Sequence, residues 1–369
     1  MHLKLLITGI VCLLASGCHN NKPFHVVDSD NPAFIKNTVF ISSENLSDPK
    51  FEALKKKYQL DTIFHGETNE LKRVLLLRHW IHEAIKIDDY GPYTGNGSVE
   101  STIDEALKGH GFHCGYFSSV QNAILNAYGY VTRSILVDTG VPVDYMVGGG
   151  HHAVNEVWLN SYHKWFLSDA KYDYHFEKNG IPLSALEIRA EYLKNKAADI
   201  VLVKGVEKKA IDGLPEYNIK TKEQLARAYT WISWYKNNNR YSGHPDSSAD
   251  IIMYQDDYFK NHTWLWDGKP HWAYNTKFLH LVSDSAKIEW TPNTVSSKVL
   301  IEGNKAIISL TSDTANLKTY QMKIKPNEEW KKISNTAEIN LTADKNEIIF
   351  RAENIAGVTG PEHKIIIAR

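Results

Sequence analysis

The spacing of apolar residues changes along this chain, and that change constrains its fold more than any other feature. Leu71, Val74, Leu75, Ile81 and Ile85 recur at helical spacing, which predicts a helix over residues 70–85. A loop rich in Gly and Tyr covers 88–99, and a short helix is expected near 102–108. Cys114 opens a further helix to about Tyr128, with Val120, Ile124 and Ala127 as its buried stripe and Gly129 as its stop. The runs 131–137, 153–159 and 164–168 are then β-rich. Helices first and sheet second, with no strict βαβ repeat, describe an α+β domain. Residues 224–236 read as helical again, and 240–290 as irregular and aromatic. From Ala286 the pattern changes once more. Short apolar runs (299–301, 306–310, 320–324, 337–341, 347–352 and 364–368) alternate with turn signals such as Glu302-Gly303-Asn304, the signature of an all-β sandwich.

The chain has 369 residues, a net charge of −1 and 43% hydrophobic content, which suit an ordinary globular protein. Acids and bases are mixed along it, with no basic stripe, so nucleic acid is not an expected partner. The N-terminus stands apart. Lys4 precedes an almost unbroken apolar run from Leu5 to Ala15, too short for the ~20 residues that span a bilayer but suited to a signal peptide. The run ends in Ala15-Ser16-Gly17-Cys18, which resembles a lipobox, although such motifs usually carry Leu where Ala15 stands. This resemblance implies lipidation at Cys18 and attachment to a membrane of the cell envelope, the outer membrane by expectation. Residues 1–18 are then a signal peptide, 19–35 a polar tether, 36–290 the catalytic domain with its aromatic extension, and 291–369 the β-sandwich.

Of the three cysteines, Cys12 leaves with the signal and Cys18 takes the lipid, so Cys114 is the one thiol left free. A lone Cys can simply be a small buried apolar side chain. Its neighbourhood suggests more. Gly111-Phe112-His113-Cys114-Gly115-Tyr116 runs into a helix, and a helix N-terminus favours thiolate over thiol. Backbone N–H groups there also face the place where an oxyanion develops. Further on, His152 begins a strand pattern (His152-Ala153-Val154-Asn155-Glu156-Val157-Trp158), and a second strand pattern ends at Asp169. On adjacent antiparallel strands the acid orients the imidazole, as the base and its partner do in a triad.

These motifs together resemble the transglutaminase-like superfamily, part of the wider papain-like group. The likeness covers Gly111 to about Leu186: Gly-x-Cys-Gly at a helix start, Gly129-Tyr130-Val131-Thr132-Arg133, His-Ala before Glu-Val, and Trp165 four residues before Asp169. Asp173-Tyr174-His175-Phe176 and residues 182–187 resemble the segment that follows the acid in some bacterial members. The resemblance implies Cys114 as nucleophile, His152 as base and Asp169 as its orienter. Val154 replaces a usual Trp. His151 raises a question of register, which the strand period answers: His152, Val154, Glu156 and Trp158 share one face. In a similar way, residues from Leu341 onward resemble the closing hairpin of an immunoglobulin-like module.

Tyr93 and Asn96 in the Gly-rich loop are candidates for oxyanion or substrate contacts. Trp264 and Trp266 are candidates from an aromatic segment that also holds Trp231, Trp234 and Trp272. Those rings either stack on substrate or pack the joint between the units. No cofactor and no metal is expected. His113, Cys114, His151 and His152 make a poor zinc set, because adjacent strand residues face opposite ways and neither Cys-x-x-Cys nor His-Glu-x-x-His occurs. The favoured function is a cysteine-dependent amide hydrolase acting on a peptide or glycopeptide through an acyl-enzyme. The alternative is a glycan-binding or carbohydrate-active lipoprotein whose triad is idle.

Overall fold

The computed structural model describes residues 22–30, 32–40, 43–145, 150–243, 250–266, 268–275, 277, 279–327 and 329–369. Cys12 and the expected lipidation site Cys18 lie outside the described residues. Helices come first. Pro49–Lys57, Glu70–Ala84, Val99–Leu107 and Cys114–Ala127 pack around one apolar cluster that includes Leu54, Leu75, Ile81, Ile103, Phe117 and Ile124. Local chemistry sets their starts: the Asn69 side chain accepts from the Lys72 N–H, and Ser98 accepts from the Ser101 N–H.

The helices lie against a six-stranded sheet in the spatial order Leu279–Val282, Ile251–Tyr254, Trp231–Tyr235, Thr132–Asp138, His151–Leu159, Lys164–Ser168. All neighbours are antiparallel except the first two. Val157 and Phe166 on one face join the helical cluster, while Val154, Trp158, Trp165 and Leu167 on the other join a second core. This alternation is the period-two pattern of a sheet covered on both sides. A smaller sheet (Lys209–Ile211, Val201–Lys204, Tyr174–Lys178, Ile181–Pro182) and the helix Ala185–Asn195 close that second core.

Two sheets form the C-terminal unit, one of five strands and one of three, with a shared core that includes Val295, Ile308, Phe350 and Ile367. It is an all-β sandwich. Five of the six apolar runs read from the sequence fall within one of its strands, and the sixth, 337–341, overruns Thr336–Asn340 by one residue.

Three sequence expectations need correction. Residues 240–290 are not simply irregular: Ile251–Tyr254 and Leu279–Val282 are strands of the central sheet, short and set apart by turns that hide their pattern. Residues 224–236 are helical only over Lys222–Arg227; a 3-10 turn follows, then the strand Trp231–Tyr235. The capping box at Thr221 and Gln224 gives a strong helix start, but the aromatic, β-branched run after it suits a sheet. The tether is also not all tether. His25–Asp30 is a strand that pairs antiparallel with His363–Ala368 at the edge of the five-stranded sheet. Its side chains are exposed throughout, so it carries no apolar alternation that a sequence reading can detect.

Candidate active site

Cys114 is the first residue of the helix Cys114–Ala127. His113 caps that helix by an uncommon route: its Nδ1 accepts the Gly115 N–H at 3.0 Å. Because an amide donates there, Nδ1 is unprotonated and the ring hydrogen sits on Nε2. The Cys114 N–H is among the amides that a helix start leaves without an intrahelical partner. Two side chains pin the helix to the strands that carry the other groups. Ser118 donates to the Val154 carbonyl at 3.3 Å, and Gln121 donates to Ser168 Oγ at 2.7 Å.

His152 sits near the start of the strand His151–Leu159, and Asp169 follows directly on Lys164–Ser168. The pairing Asn155↔Ser168 brings the imidazole and carboxylate together, with His152 Nε2 2.7 Å from Asp169 Oδ2. Nδ1 is therefore the ring nitrogen left for the thiol. The other carboxylate oxygen accepts the Tyr172 N–H at 3.0 Å, which fixes the acid's orientation. Both groups are out of solvent, His152 at 3% exposure and Asp169 at 0%.

The electrostatics are those of an ion pair. Burial acts most strongly on the Cys114 thiol and pushes its pKa up. Hydrogen bonds with His113 and His152, the imidazolium charge and the Lys171 ammonium outweigh it and hold the thiol well below its ordinary value. Burial likewise pushes His152 down, but the Asp169 charge and hydrogen bond and the thiolate raise it to about 9. Asp169 is lowered, because His152, the Tyr172 amide and Lys171 overcome its burial. Both shifts favour a thiolate–imidazolium pair beside the carboxylate, the pairing that activates a cysteine nucleophile.

Several supporting residues gave no sequence signal. The short parallel pairing of Lys86–Ile87 with Gly111–Phe112 draws the following loop up to Cys114. Gly111 permits this approach, since a Cβ there would meet Asp88 Cβ at 2.5 Å. That loop delivers Asp89, whose two oxygens take Lys171 Nζ at 2.7 and 2.8 Å. Lys171 is 3% exposed, and its charge acts on Cys114. Tyr172 places its ring 5.3 Å from His152.

Tyr93, an expected contact, packs edge-on against His113 at 4.8 Å and is close enough to Cys114 to feel its charge. Asn96 does not reach the thiol's surroundings: its side chain accepts the Ser98 N–H within its own exposed turn. Trp266 is half-buried and stacks on His151 at 4.0 Å, on the opposite strand face from His152. Trp264 is a correction. It is 2% exposed and lies flat between His271, at 3.4 Å, and Trp231, so no substrate ring can reach its face. His151 stacks on Trp266 across the strand from His152, which takes it out of the four residues weighed for zinc.

A helix-borne thiol with a strand-borne histidine and acid defines a papain-like cysteine site. Comparison with known proteins agrees at the level of family: residues 58–170 match the model of the transglutaminase-like superfamily, so this part of the chain is a transglutaminase-like core. The matched segment contains all three residues of the site. Two solved structures give partial likenesses. One, from Cytophaga hutchinsonii and described provisionally as a cysteine protease, is 19% identical over 37% of this chain and 40% of its own, with a TM-score of 0.27. The other is the spore cortex lytic enzyme SleM of Clostridium perfringens, 19% identical over 21% of this chain and 29% of its own, with a TM-score of 0.18. The chain thus spans less than half the length of either structure. No curated protein matches it.

Proposed function

We propose that this protein is a cysteine-dependent amide hydrolase of the cell envelope, acting on a peptide or glycopeptide through a thioester acyl-enzyme. The observation that carries the reading is the buried His152–Asp169 contact beside a Cys114 thiol held well below its ordinary pKa. In this scheme Cys114 Sγ attacks the amide carbonyl carbon, and the oxygen's developing charge meets the Cys114 N–H. The imidazolium gives its Nδ1 proton to the leaving nitrogen as the C–N bond breaks. His152 then takes a proton from water, which attacks the thioester and releases acid and thiolate.

The envelope location rests on the apolar run and Ala15-Ser16-Gly17-Cys18, with lipid on Cys18. Mass spectrometry of the mature N-terminus tests it, and an unlipidated terminus at another residue would overturn it. We read the C-terminal sandwich as immunoglobulin-like, on the strength of its closing hairpin. The hydrolase reading is tested by incubating the protein with peptides, peptidoglycan fragments and glycopeptides and trapping the adduct. A substrate-derived mass on Cys114, absent in Cys114→Ala, is expected. Release of product by Cys114→Ala would refute the mechanism.

A further inference from the structure

One large cavity lies away from the thiol. It is an open cleft of about 1380 Å³, wider than the ~300–1,000 Å³ usual for small-molecule sites. Thr139 and Gly140 form one wall, just beyond the strand whose Val137 pairs with His152. At ~3.3 Å per residue, that wall begins on the order of 10 Å from the catalytic histidine's strand position. The other walls come from side chains of helices and turns and from Trp231 at the start of its strand.

Charge in the cleft is unbalanced. Two of its carboxylates are already paired: Asp256 holds the Arg189 guanidinium with both oxygens, and Asp257 lies 3.3 Å from Lys260. Among the described residues, no carboxylate is within ion-pair distance of Lys196, Lys220 or Arg227, which leaves three cations against Glu223. Arg227 is half-buried and donates toward the buried Tyr145 hydroxyl oxygen, whose own proton has no acceptor among the described residues. A guanidinium beside a hydroxyl donor suits a carboxylate, which accepts from both. Close by, Tyr258 and His262 stack at 4.0 Å and 12°, with the imidazole exposed. Tyr192 lies under Lys196, whose Nζ is 4.7 Å from the ring centroid.

We propose that this cleft binds a carboxylated saccharide, with Arg227 and Tyr145 receiving the carboxylate and the Tyr258–His262 stack receiving a sugar-ring face. Glu223 and Asn261 then offer polar atoms to ring hydroxyls. An extended acidic peptide fits less well. Such a ligand docks by adding to an unpaired strand edge, and the edge strands of the central sheet, Leu279–Val282 and Lys164–Ser168, contribute nothing to the cleft. A phosphate dianion is disfavoured by Glu223, which a hydroxyl-rich monoanion can use as an acceptor. The site does not depend on the thiol chemistry proposed above.

Calorimetric titration of the full chain tests the idea with three probes: a trisaccharide of two galactoses and one galacturonic acid, the neutral galactose trisaccharide and triglutamate. The acidic sugar should bind, and the neutral sugar and triglutamate should bind at least ~10-fold more weakly. Arg227→Gln and Tyr258→Ala should each weaken the acidic sugar by ~10-fold. Cys114 alkylation at the wild-type rate in both variants reports that they are folded. Equal binding of triglutamate, equal binding of the neutral sugar, no binding of the acidic sugar, or unchanged affinity in a folded Arg227→Gln would each overturn the proposal. A triad that proves inert leaves this result unaffected, so the two readings fail separately.

Discussion

Lys171 carries a cost that its position explains. Taking an ammonium and the Asp89 carboxylate out of water is expensive, and removing one partner of such a pair is worse than losing both. The position puts a fixed positive charge in the field of Cys114. Lys171→Met, with Asp89→Asn added so that no carboxylate is stranded, should therefore raise the thiol pKa. Iodoacetamide labelling at pH about 5.5 should slow by ~10-fold or more while the rate at high pH is kept. An unchanged rate at low pH would show that Lys171 is structural. Asp169→Asn should lower turnover by ~10²–10⁴-fold, by analogy with other triads. His151→Ala should cost far less, since its ring faces Trp266 and not the thiol; equal losses for His151→Ala and His152→Ala would refute the register. At this scale the sequence was legible where chemistry needs a residue type at a fixed period. The two-residue repeat alone separates His152 from His151. It gave no sign of Asp89 and Lys171, which a loop and a strand end bring together from distant parts of the chain. His113 went unnoticed as a cap because caps are sought among Ser, Thr, Asp and Asn. Trp264 was misjudged because a count of tryptophans says nothing about which of them are covered.

The joint between the sandwich and the catalytic unit is a matter of elements. Asn354, at the end of the strand Lys345–Asn354, donates its side-chain N–H to the Gly129 carbonyl at 2.9 Å and is buried. Its Oδ1 accepts the Ala356 and Val358 N–H groups at 3.0 Å, which shapes the turn that meets the nucleophile helix's C-terminus. Gly129 has φ +78°, and a Cβ there would lie 2.6 Å from Ala356 Cβ. Asn354→Ala should cost ~1–3 kcal/mol of stability by leaving polar groups unpaired, and calorimetric melting measures this. Truncation after Thr291 should lower the melting temperature and still leave the thiol reactive, because none of the described partners of Cys114, His152 and Asp169 lies in the sandwich. Loss of rapid alkylation would show that the sandwich holds the site together. The helices of this molecule were readable because one face is apolar at helical spacing. The strand Trp231–Tyr235 was not, since Trp231, Ile232, Ser233 and Trp234 are all buried and nothing alternates.

Acid response belongs to the whole molecule. Burial lowers His175 and His271 from the usual 6.5 to about 4 each. The folded state then binds fewer protons than the unfolded chain between those values, so stability falls as pH drops from about 6.5 to about 4 and levels off below. Each histidine contributes on the order of 3 kcal/mol to that fall. His152 acts in the opposite sense. Its contribution is complete below the usual 6.5 and fades as pH rises through about 9. The lowered Cys114 thiol offsets it over the same range, so the prediction lies on the acid side: melting temperature should fall as pH drops below about 6.5, with a shallower acid limb in His271→Gln. A flat acid limb in the wild type would contradict the burial of both rings. The α+β class and the β-sandwich were open to sequence reasoning, since each follows from the order and spacing of apolar runs. The two layers covering the central sheet were not, because they come from segments far apart in the chain.

The strand His25–Asp30 lies antiparallel to His363–Ala368, paired from His25↔Ala368 to Asp30↔Lys364 with a register shift between Val26 and Asp28. This pairing has a mechanical meaning. Tension applied at Lys22 runs into that strand, so its ladder to His363–Ala368 carries load into the sandwich. From there the load passes to the joint, where Asn354 holds the Gly129 carbonyl just past the helix that begins with Cys114. A pull on the N-terminus therefore meets the nucleophile helix at the end opposite the thiol.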